Sequence, residues 1–305
     1  MPQGLKIFLS AAKNWNADNV FKHAAAVSFY TLFSLAPITI IAVTVAAIFF
    51  GRETATAELE KQVTALMGPA SAELLQTAAK ASKAEGTNAL STAFGVALLL
   101  FGATTVFGQL QDSFNQIWGV RTKPSKSGWV VLILQRLLSL AMVLTIGFLL
   151  LVSLVLTTAL TAVLGQWGDA LLGSPVLLKA VDLGIGLVII TVLFALLFKV
   201  LPDVRVRWRE VWIGAGLTAA LFTVGRYVIA LYLGHSTVAS IYGAAGSLVA
   251  LLIWVYYSCA ILFFGVEFIR AYRAAHHLKV EPKDTAVIVR QELVATRRHD
   301  PAGNK

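Results

Sequence analysis

Residues 24–50 read AAAVSFYTLFSLAPITIIAVTVAAIFF and contain no charged side chain. A helix needs about 20 apolar residues to cross the hydrocarbon core of a bilayer. An α-helix also satisfies its own backbone hydrogen bonds, which a segment in lipid must do. This stretch therefore predicts a membrane-spanning helix.

The composition of the whole chain also indicates a membrane protein. Of its 305 residues, 57% are hydrophobic and 13% are charged, and the mean hydropathy is +0.76. Soluble domains carry about 25% charged residues, so this chain has too little polar surface to face water. A formal charge of +9 would suggest nucleic-acid binding in a soluble protein. In a membrane protein, basic residues held at the inner surface explain it.

Five further apolar runs follow, at 89–110, 129–164, 176–200, 211–233 and 244–269. The predicted fold class is therefore an all-α integral membrane protein with six transmembrane helices. The run 129–164 would form a helix of about 54 Å, which exceeds the hydrocarbon core of about 30 Å. We expect it to tilt, bend or project beyond the membrane.

The segments outside these runs complete the predicted organisation. Residues 52–88 predict an external amphipathic helical hairpin between spans one and two, with apolar residues at helical spacing on both sides of Gly68-Pro69. Residues 3–20 predict an interfacial helix. The predicted domains are a transmembrane domain at 1–278 and a flexible cytoplasmic tail at 279–305.

The distribution of Lys and Arg predicts the orientation. Eighteen of these residues lie on the side that holds both termini, and four lie in the opposite loops. Basic loops stay in the cytoplasm. We therefore expect a multi-pass membrane protein with both termini cytoplasmic.

Three strings resemble those of a known family. They are AAAVSFYTLFSLAPITI at 24–40, LPDVRVRWREVWIGA at 201–215 and SIYGAAGSLVALLIWVYYSCAILFFGVEF at 240–268. Their order and spacing resemble the YihY/BrkB family of bacterial membrane proteins over about 20–275. The resemblance implies a six-helix bundle in the bacterial cytoplasmic (inner) membrane. Family members have carried a ribonuclease label, one branch is named for resistance to serum killing, and movement of envelope lipids has been suggested for relatives.

Charged side chains at the depth of the hydrocarbon core are costly, so they are candidates for functional residues. Four such residues stand out: Arg136, Asp182, Arg226 and Glu267. Asp182 and Arg226 lie about 9 Å and about 12 Å from the outer ends of their spans, whereas Arg136 and Glu267 lie towards the inner ends. Depth therefore predicts the pairs Asp182–Arg226 and Arg136–Glu267. Such pairs can be purely structural, or an arginine can line a cavity that receives an anionic head group.

The first span contains a second candidate site. Pro37 removes a helix hydrogen bond in mid-span, and the freed carbonyl needs another partner. Ser34 can supply that partner, which would make the site a structural kink. Alternatively, Tyr30, Ser34 and Pro37 form part of a hinge or cavity wall.

The inner end of the second span is polar. Its polar residues are Thr104, Thr105, Gln109, Asp112, Asn115 and Gln116. Several lie three or four residues apart, on one helical face. They predict either hydrogen bonds between helices or a water-filled vestibule that includes Gln109 and Asp112.

The sequence offers little for an enzyme. It has no His or Cys pattern typical of a metal site, no carboxylates at nuclease spacing and no phosphate-binding loop. We predict no catalytic residue, metal or cofactor, and membrane lipids rather than nucleic acid as partners. The favoured hypothesis is transport or flipping of a lipid or amphiphilic envelope component. The alternatives are a scaffold for envelope machinery, or the ribonuclease that the family label implies.

Overall fold

The structure is a computed structural model that describes residues 2–51, 89–123, 175–235 and 246–289, and positions 53, 54, 56, 57, 60 and 64. The described helices are α1 Gln3–Ala17, α2 Val20–Phe50, α3 Ala89–Trp118, α4 Pro175–Val200, α5 Trp208–His235 and α6 Gly246–Ala275. Two short strands are β1 Val120–Thr122 and β2 Ala286–Ile288.

Three of these helices are long and apolar enough to cross a membrane. The stretches are Leu183–Val200 in α4, Trp208–Ile229 in α5 and Leu248–Ala275 in α6. The prediction of a largely helical chain is thus confirmed for the described part, and three of its helices have the length and composition of membrane spans. The predicted span 129–164 and most of the hairpin 52–88 lie outside the described residues, so the count of six crossings and the hairpin stay predictions.

Helix α6 lies at the centre of the described bundle. It packs against α1, α2, α3 and α5, while α4 packs on α5 and α2 on α3. Three buried aromatic rings join α3, α4 and α6, because the ring of Phe114 lies 6.0 Å from that of Phe198 and 5.8 Å from that of Phe263. In lipid such contacts act through close packing rather than through exclusion of water.

Glycines allow α4, α5 and α6 to approach closely. A Cβ atom on Gly265 of α6 would lie 2.0 Å from Thr218 Oγ1 of α5 and 2.7 Å from the ring of Phe198 in α4. A Cβ atom on Gly225 of α5 would lie 2.5 Å from the ring of Tyr257 in α6. Small residues are typical of such helix contacts in membranes.

Replacing Gly265 with alanine is expected to destabilise the bundle. Overpacking a tight contact costs about 1–3 kcal/mol, and the Thr218 hydroxyl is held in place by its hydrogen bond to the Gly214 carbonyl. The matched control is Gly216→Ala, whose Cβ would meet nothing within 4 Å. Thermal unfolding in detergent, followed by circular dichroism, checks this. Equal melting temperatures for the two variants would show that α6 does not need glycine here.

Helix α1 is anchored on α6. Ile7 and Ala11 are buried in a cluster with Phe264 and Ala271 of α6, and the indole Nε1 of Trp15 donates to the Ala260 carbonyl at 3.0 Å. The predicted interfacial helix at 3–20 therefore exists as a helix that ends at Ala17. Its position at a membrane surface stays a prediction.

Three segments meet at one end of the bundle and form what we call the base: residues 119–123, 201–207 and 278–289. β1 pairs antiparallel with β2, with Val120 opposite Ile288. The amide of Arg205 donates to the Glu281 carbonyl at 2.8 Å, and the amide of Lys283 donates to the Asp203 carbonyl at 2.9 Å. Backbone hydrogen bonds therefore tie the chain up to residue 289 into the base, past the predicted domain boundary at 278. Residues 290–305 lie outside the described residues.

Candidate functional site

Glu267 is the predicted site residue with the most unusual surroundings. Its side chain is 0% exposed, and it lies within the apolar stretch of α6. Its Oε2 atom is 3.5 Å from Arg270 Nη1, while Oε1 has no hydrogen-bond partner among the described residues. Burying a carboxylate with so few partners is costly, which marks this position as a candidate site.

Arg270 connects the buried side chain of Glu267 to the protein surface. Its Nη1 atom also donates to Oδ2 of Asp18, in the turn between α1 and α2. The side chains of Arg270 and Asp18 are both 35% exposed. One guanidinium is therefore shared by two carboxylates, and the three side chains lead from the apolar interior to a surface cleft.

That cleft has a volume of about 750 Å³. Asp18 and Arg270 line it together with the turn between α1 and α2, the first turn of α2, the end of α3, and β1. Its other polar lining residues are Asn19, Lys22, His23, Gln116 and Arg121. Ligand pockets have volumes of about 300–1,000 Å³, so the cleft can hold a small molecule or a head group.

Two turns with left-handed backbone shape the cleft. Asn19 has φ 53° and ends the turn between α1 and α2, and Gly119 has φ 65° between α3 and β1. Asn and Gly are the residues that adopt this conformation most readily. The amide of Gly119 donates to the Gln116 carbonyl at 3.0 Å, and its own carbonyl accepts from the Val289 amide at 2.8 Å. These turns place Lys22 and Arg121 on two walls of one cleft.

Asp203 forms a buried polar node in the base beside this cleft. Its side chain accepts hydrogen bonds from Asn115 Nδ2 at 2.9 Å, Thr122 Oγ1 at 3.3 Å and Gln111 Nε2 at 3.4 Å. Its backbone amide donates to Asn115 Oδ1 at 2.8 Å. Buried polar groups need such partners, so this node fixes α3, β1 and the loop after α4 relative to one another.

A buried ion pair joins α5 to α6 at the same end. Arg273 Nη1 lies 2.9 Å from Glu210 Oε2, with side chains 6% and 4% exposed. Arg273 Nη1 also donates to the Arg205 carbonyl at 3.1 Å, and Nη2 donates to the Lys279 carbonyl. The pair thus connects both helices to two segments of the base.

Lys283 attaches the tail to the end of α4. Its Nζ donates to the carbonyl of Val200 at 3.1 Å, which is one of the unpaired carbonyls at a helix C-terminus. Burial lowers the pKa of Lys283, while nearby Asp203 raises it and Lys199 lowers it. The partly buried ammonium group is thus held where the helix dipole favours a cation.

The predicted pairing of intramembrane charges stays untested. Arg136 lies outside the described residues, and Asp182 lies in α4 with its side chain outside the description. Arg226 is half-buried in α5, and its Nη2 donates to the hydroxyl of Tyr227 at 3.1 Å. Its guanidinium also lies over the Tyr227 ring, 4.9 Å from the centroid. In the described part Glu267 contacts Arg270, its neighbour three residues along α6.

The candidates in α2 have different surroundings. The helix continues through Pro37, whose side chain lies outside the description. The hydroxyl of Ser34 donates a hydrogen bond to the Gly102 carbonyl of α3, which connects the two helices. A hydroxyl has only one proton to donate, so Ser34 does not also donate to the carbonyl freed by Pro37. Tyr30 is 37% exposed, with its ring 6.0 Å from that of Phe29.

The polar residues at the end of α3 have different surroundings, because some are buried and others are exposed. Asn115 is buried against Asp203, as is Gln111, so these side chains bind the loop after α4 rather than another helix. Gln116 lines the cleft. Gln109 is half-buried with Nε2 3.5 Å from Ser113 Oγ, and Asp112 is exposed.

The residues that complete the cleft were not predicted: Asp18, Lys22, Arg121 and Arg270. Arg270 lies three residues after Glu267, a spacing that places two side chains on one helical face, so a signal for it was present. Asp18 and Lys22 lie four residues apart, on either side of the start of α2, and no sequence spacing indicates that Arg121 lies near them. Within the described ranges, no group of three His, Cys, Asp or Glu residues is placed to hold a metal ion.

The chain is similar to membrane proteins of a known family. The family described as "Virulence factor BrkB" matches residues 11–287. A UPF0761 membrane protein of Alkalilimnicola ehrlichii is 29% identical over 278 residues, covering 88% of this chain and 59% of that protein. One from Alcanivorax borkumensis is 25% identical over 267 residues, covering 87% and 59%. One from Alteromonas mediterranea is 27% identical over 272 residues, covering 88% and 87%.

The chain thus spans about three fifths of the length of the first two relatives and most of the third. No solved structure matches it. The family match covers most of the chain, and the three quoted motifs lie inside it, at 24–40, 201–215 and 240–268. On this basis the chain belongs to the YihY/BrkB family of membrane proteins.

Proposed function

We propose that this protein moves a lipid or another amphiphile with an anionic head group across the bacterial cytoplasmic membrane. The observation that carries the proposal is Glu267, a fully buried carboxylate in a membrane-spanning helix. It shares Arg270 with Asp18, and these two residues line the cleft. A polar connection from a surface cleft into an apolar bundle is what a moving head group requires, because charged groups in lipid need polar partners.

The predicted topology indicates on which side of the membrane the cleft opens. The basic segments that set the orientation include the start of α2, the end of α3 and the end of α6, and these segments also form the cleft. By the positive-inside rule the cleft opens to the cytoplasm. The substrate would then be taken up from, or released to, the inner leaflet.

In the proposal, the predicted residues deeper in the membrane continue the polar connection that begins at the cleft. Arg226 lies in α5, far from the base, and Arg136 is predicted near the inner end of span three. In the proposal these arginines receive the anionic group after Arg270. Tyr30, Ser34 and Pro37 of α2 would belong to the wall along which it moves.

Lipid movement in vesicles tests the proposal. The purified chain is reconstituted with fluorescent envelope lipids, and reduction of the label from outside measures movement. We expect protein-dependent movement of at least one anionic lipid. Because a hydrogen bond to a charged group is worth about 1.5–3 kcal/mol, Glu267→Gln or Arg270→Gln should slow this movement by about tenfold or more.

The matched control is Asp284→Asn, a carboxylate that is 94% exposed and lies outside the cleft. This variant should move lipid at the unchanged rate. Absence of protein-dependent movement for every envelope lipid, with correctly folded protein in the vesicles, would refute the proposed transport.

A scaffold for envelope machinery is the second candidate. It is favoured by the closely packed apolar core that joins α2, α3, α4 and α6, because a fixed core suits a protein that holds others in place. This alternative predicts no lipid movement, and a partner that co-purifies in fixed ratio with the wild-type chain.

A further inference from the structure

We infer that the cleft is a binding site for a phosphate group, held by Lys22 of α2 and Arg121 of β1. As the entrance for a substrate, this site rests on the proposed function. As a phosphate site, it stands on the arrangement of charges in the cleft and is tested separately.

The positive charges of the cleft differ in how far they are already neutralised. Arg270 is bound to Asp18 and Glu267. Lys22 and Arg121 are both exposed, and neither side chain donates a hydrogen bond to another described residue. The lining therefore holds two cations that are available to a ligand, whereas its acidic residue, Asp18, is held by Arg270.

The neighbouring side chains add further donors. Asn19 and Gln116 each carry an amide NH₂ group, and His23 carries a ring nitrogen that can donate. Asp112, one turn before Gln116, acts electrostatically on Arg121 from outside the lining. A phosphate group accepts several hydrogen bonds through its oxygens and binds Lys and Arg strongly. Cations together with neutral donors favour a phosphate group over a cation or an apolar ligand.

The position of the cleft is also suited to a phosphate at a membrane surface. Its walls are the first turn of α2, the last turn of α3 and the last turns of α6. Basic side chains at the ends of membrane helices contact the phosphates of lipid head groups. Either a lipid phosphate or a free phosphate ester has the required chemistry, and the two sources can be separated by experiment.

The test measures ligand-dependent stabilisation of the full chain in a neutral detergent, at fixed ionic strength with chloride as the reference anion. One arm uses inorganic phosphate and glycerol 3-phosphate. The other compares dioctanoyl phosphatidic acid with dioctanoylglycerol, which differ only in the phosphate. We expect phosphatidic acid to raise the melting temperature and dioctanoylglycerol not to. If the soluble phosphates also act, the site takes free phosphate esters; if they do not, it needs a lipid phosphate.

Variants connect this binding to the cleft. Lys22→Gln and Arg121→Gln should each weaken the affinity for phosphatidic acid about tenfold, which is the loss of about one charge-assisted contact. Because both side chains are exposed, the variants should fold normally, and the melting temperature without ligand checks that. The matched control is Lys13→Gln with Arg207→Gln, which removes the same charge at exposed positions outside the cleft.

Two results would overturn the inference. One is that no phosphate compound stabilises the chain more than chloride does. The other is that binding survives in the Lys22→Gln, Arg121→Gln double variant, or falls equally in the control. Failure of transport with binding intact would instead sink the proposed function and leave the phosphate site standing.

Discussion

Replacing Asp203 with alanine is expected to destabilise the protein by about 3–5 kcal/mol, because two buried donors and one half-buried donor would lose their acceptor. Those donors are on Gln111, Asn115 and Thr122. The melting temperature in detergent should fall by an amount on the order of 10 °C. Asp203→Asn keeps the shape and one acceptor, so its effect should be smaller.

Asp284→Ala is the control for this loss of a carboxylate in the base. Asp284 pairs with Arg205 at 3.0 Å, but the side chains are 94% and 58% exposed. Exposed ion pairs contribute little to stability, so the melting temperature should not change measurably. If Asp203→Ala melts at the same temperature as Asp284→Ala, the node around Asp203 does not stabilise the base.

The second large effect is expected for Arg273→Met. This change leaves the Glu210 carboxylate buried without its cation, which costs about 3–5 kcal/mol. It also removes the hydrogen bonds to the carbonyls of Arg205 and Lys279. Thermal unfolding in detergent should show the loss, and Arg209→Met, which removes an exposed arginine next to Glu210, should not.

A double-mutant cycle isolates the ion pair itself. Glu210→Met alone should also be destabilising, because Arg273 is then buried without its anion. The double variant should lose at least about 1 kcal/mol less than the sum of the two single variants, since contacting residues are coupled. Strict additivity would mean that the two side chains act independently.

The sequence predicted the helices better than their ends. Apolar runs identify the part of a helix that lies in lipid, so the second run was predicted to end at 110, whereas α3 continues to Trp118. Its last turns carry polar residues because they pack against the base, where Asn115 binds Asp203. The strand β2 was not predicted for a related reason, since it has only three residues and short strands leave almost no periodic signal.

Only part of the site was predicted, because an apolar run reveals a charge within it but not the residues that contact that charge. Glu267 stands out because a charge in an apolar run is costly, whatever surrounds it. Arg270 lies just after that run, where a basic residue is expected as an orientation signal, and so its second contact, with Asp18, was not predicted. Asp18 and Arg270 are 252 positions apart along the chain. Proximity of that kind depends on the tertiary fold, which no local pattern encodes.

The pairing of β1 with β2 has a consequence for the order of events during synthesis. The ribosome makes residues 120–122 long before residues 286–288, and three of the described helices, α4, α5 and α6, are made between them. The short sheet can therefore close only after α6 has been synthesised. A nascent chain halted before residue 286 should leave β1 open to proteases that no longer cut there once the sheet has formed.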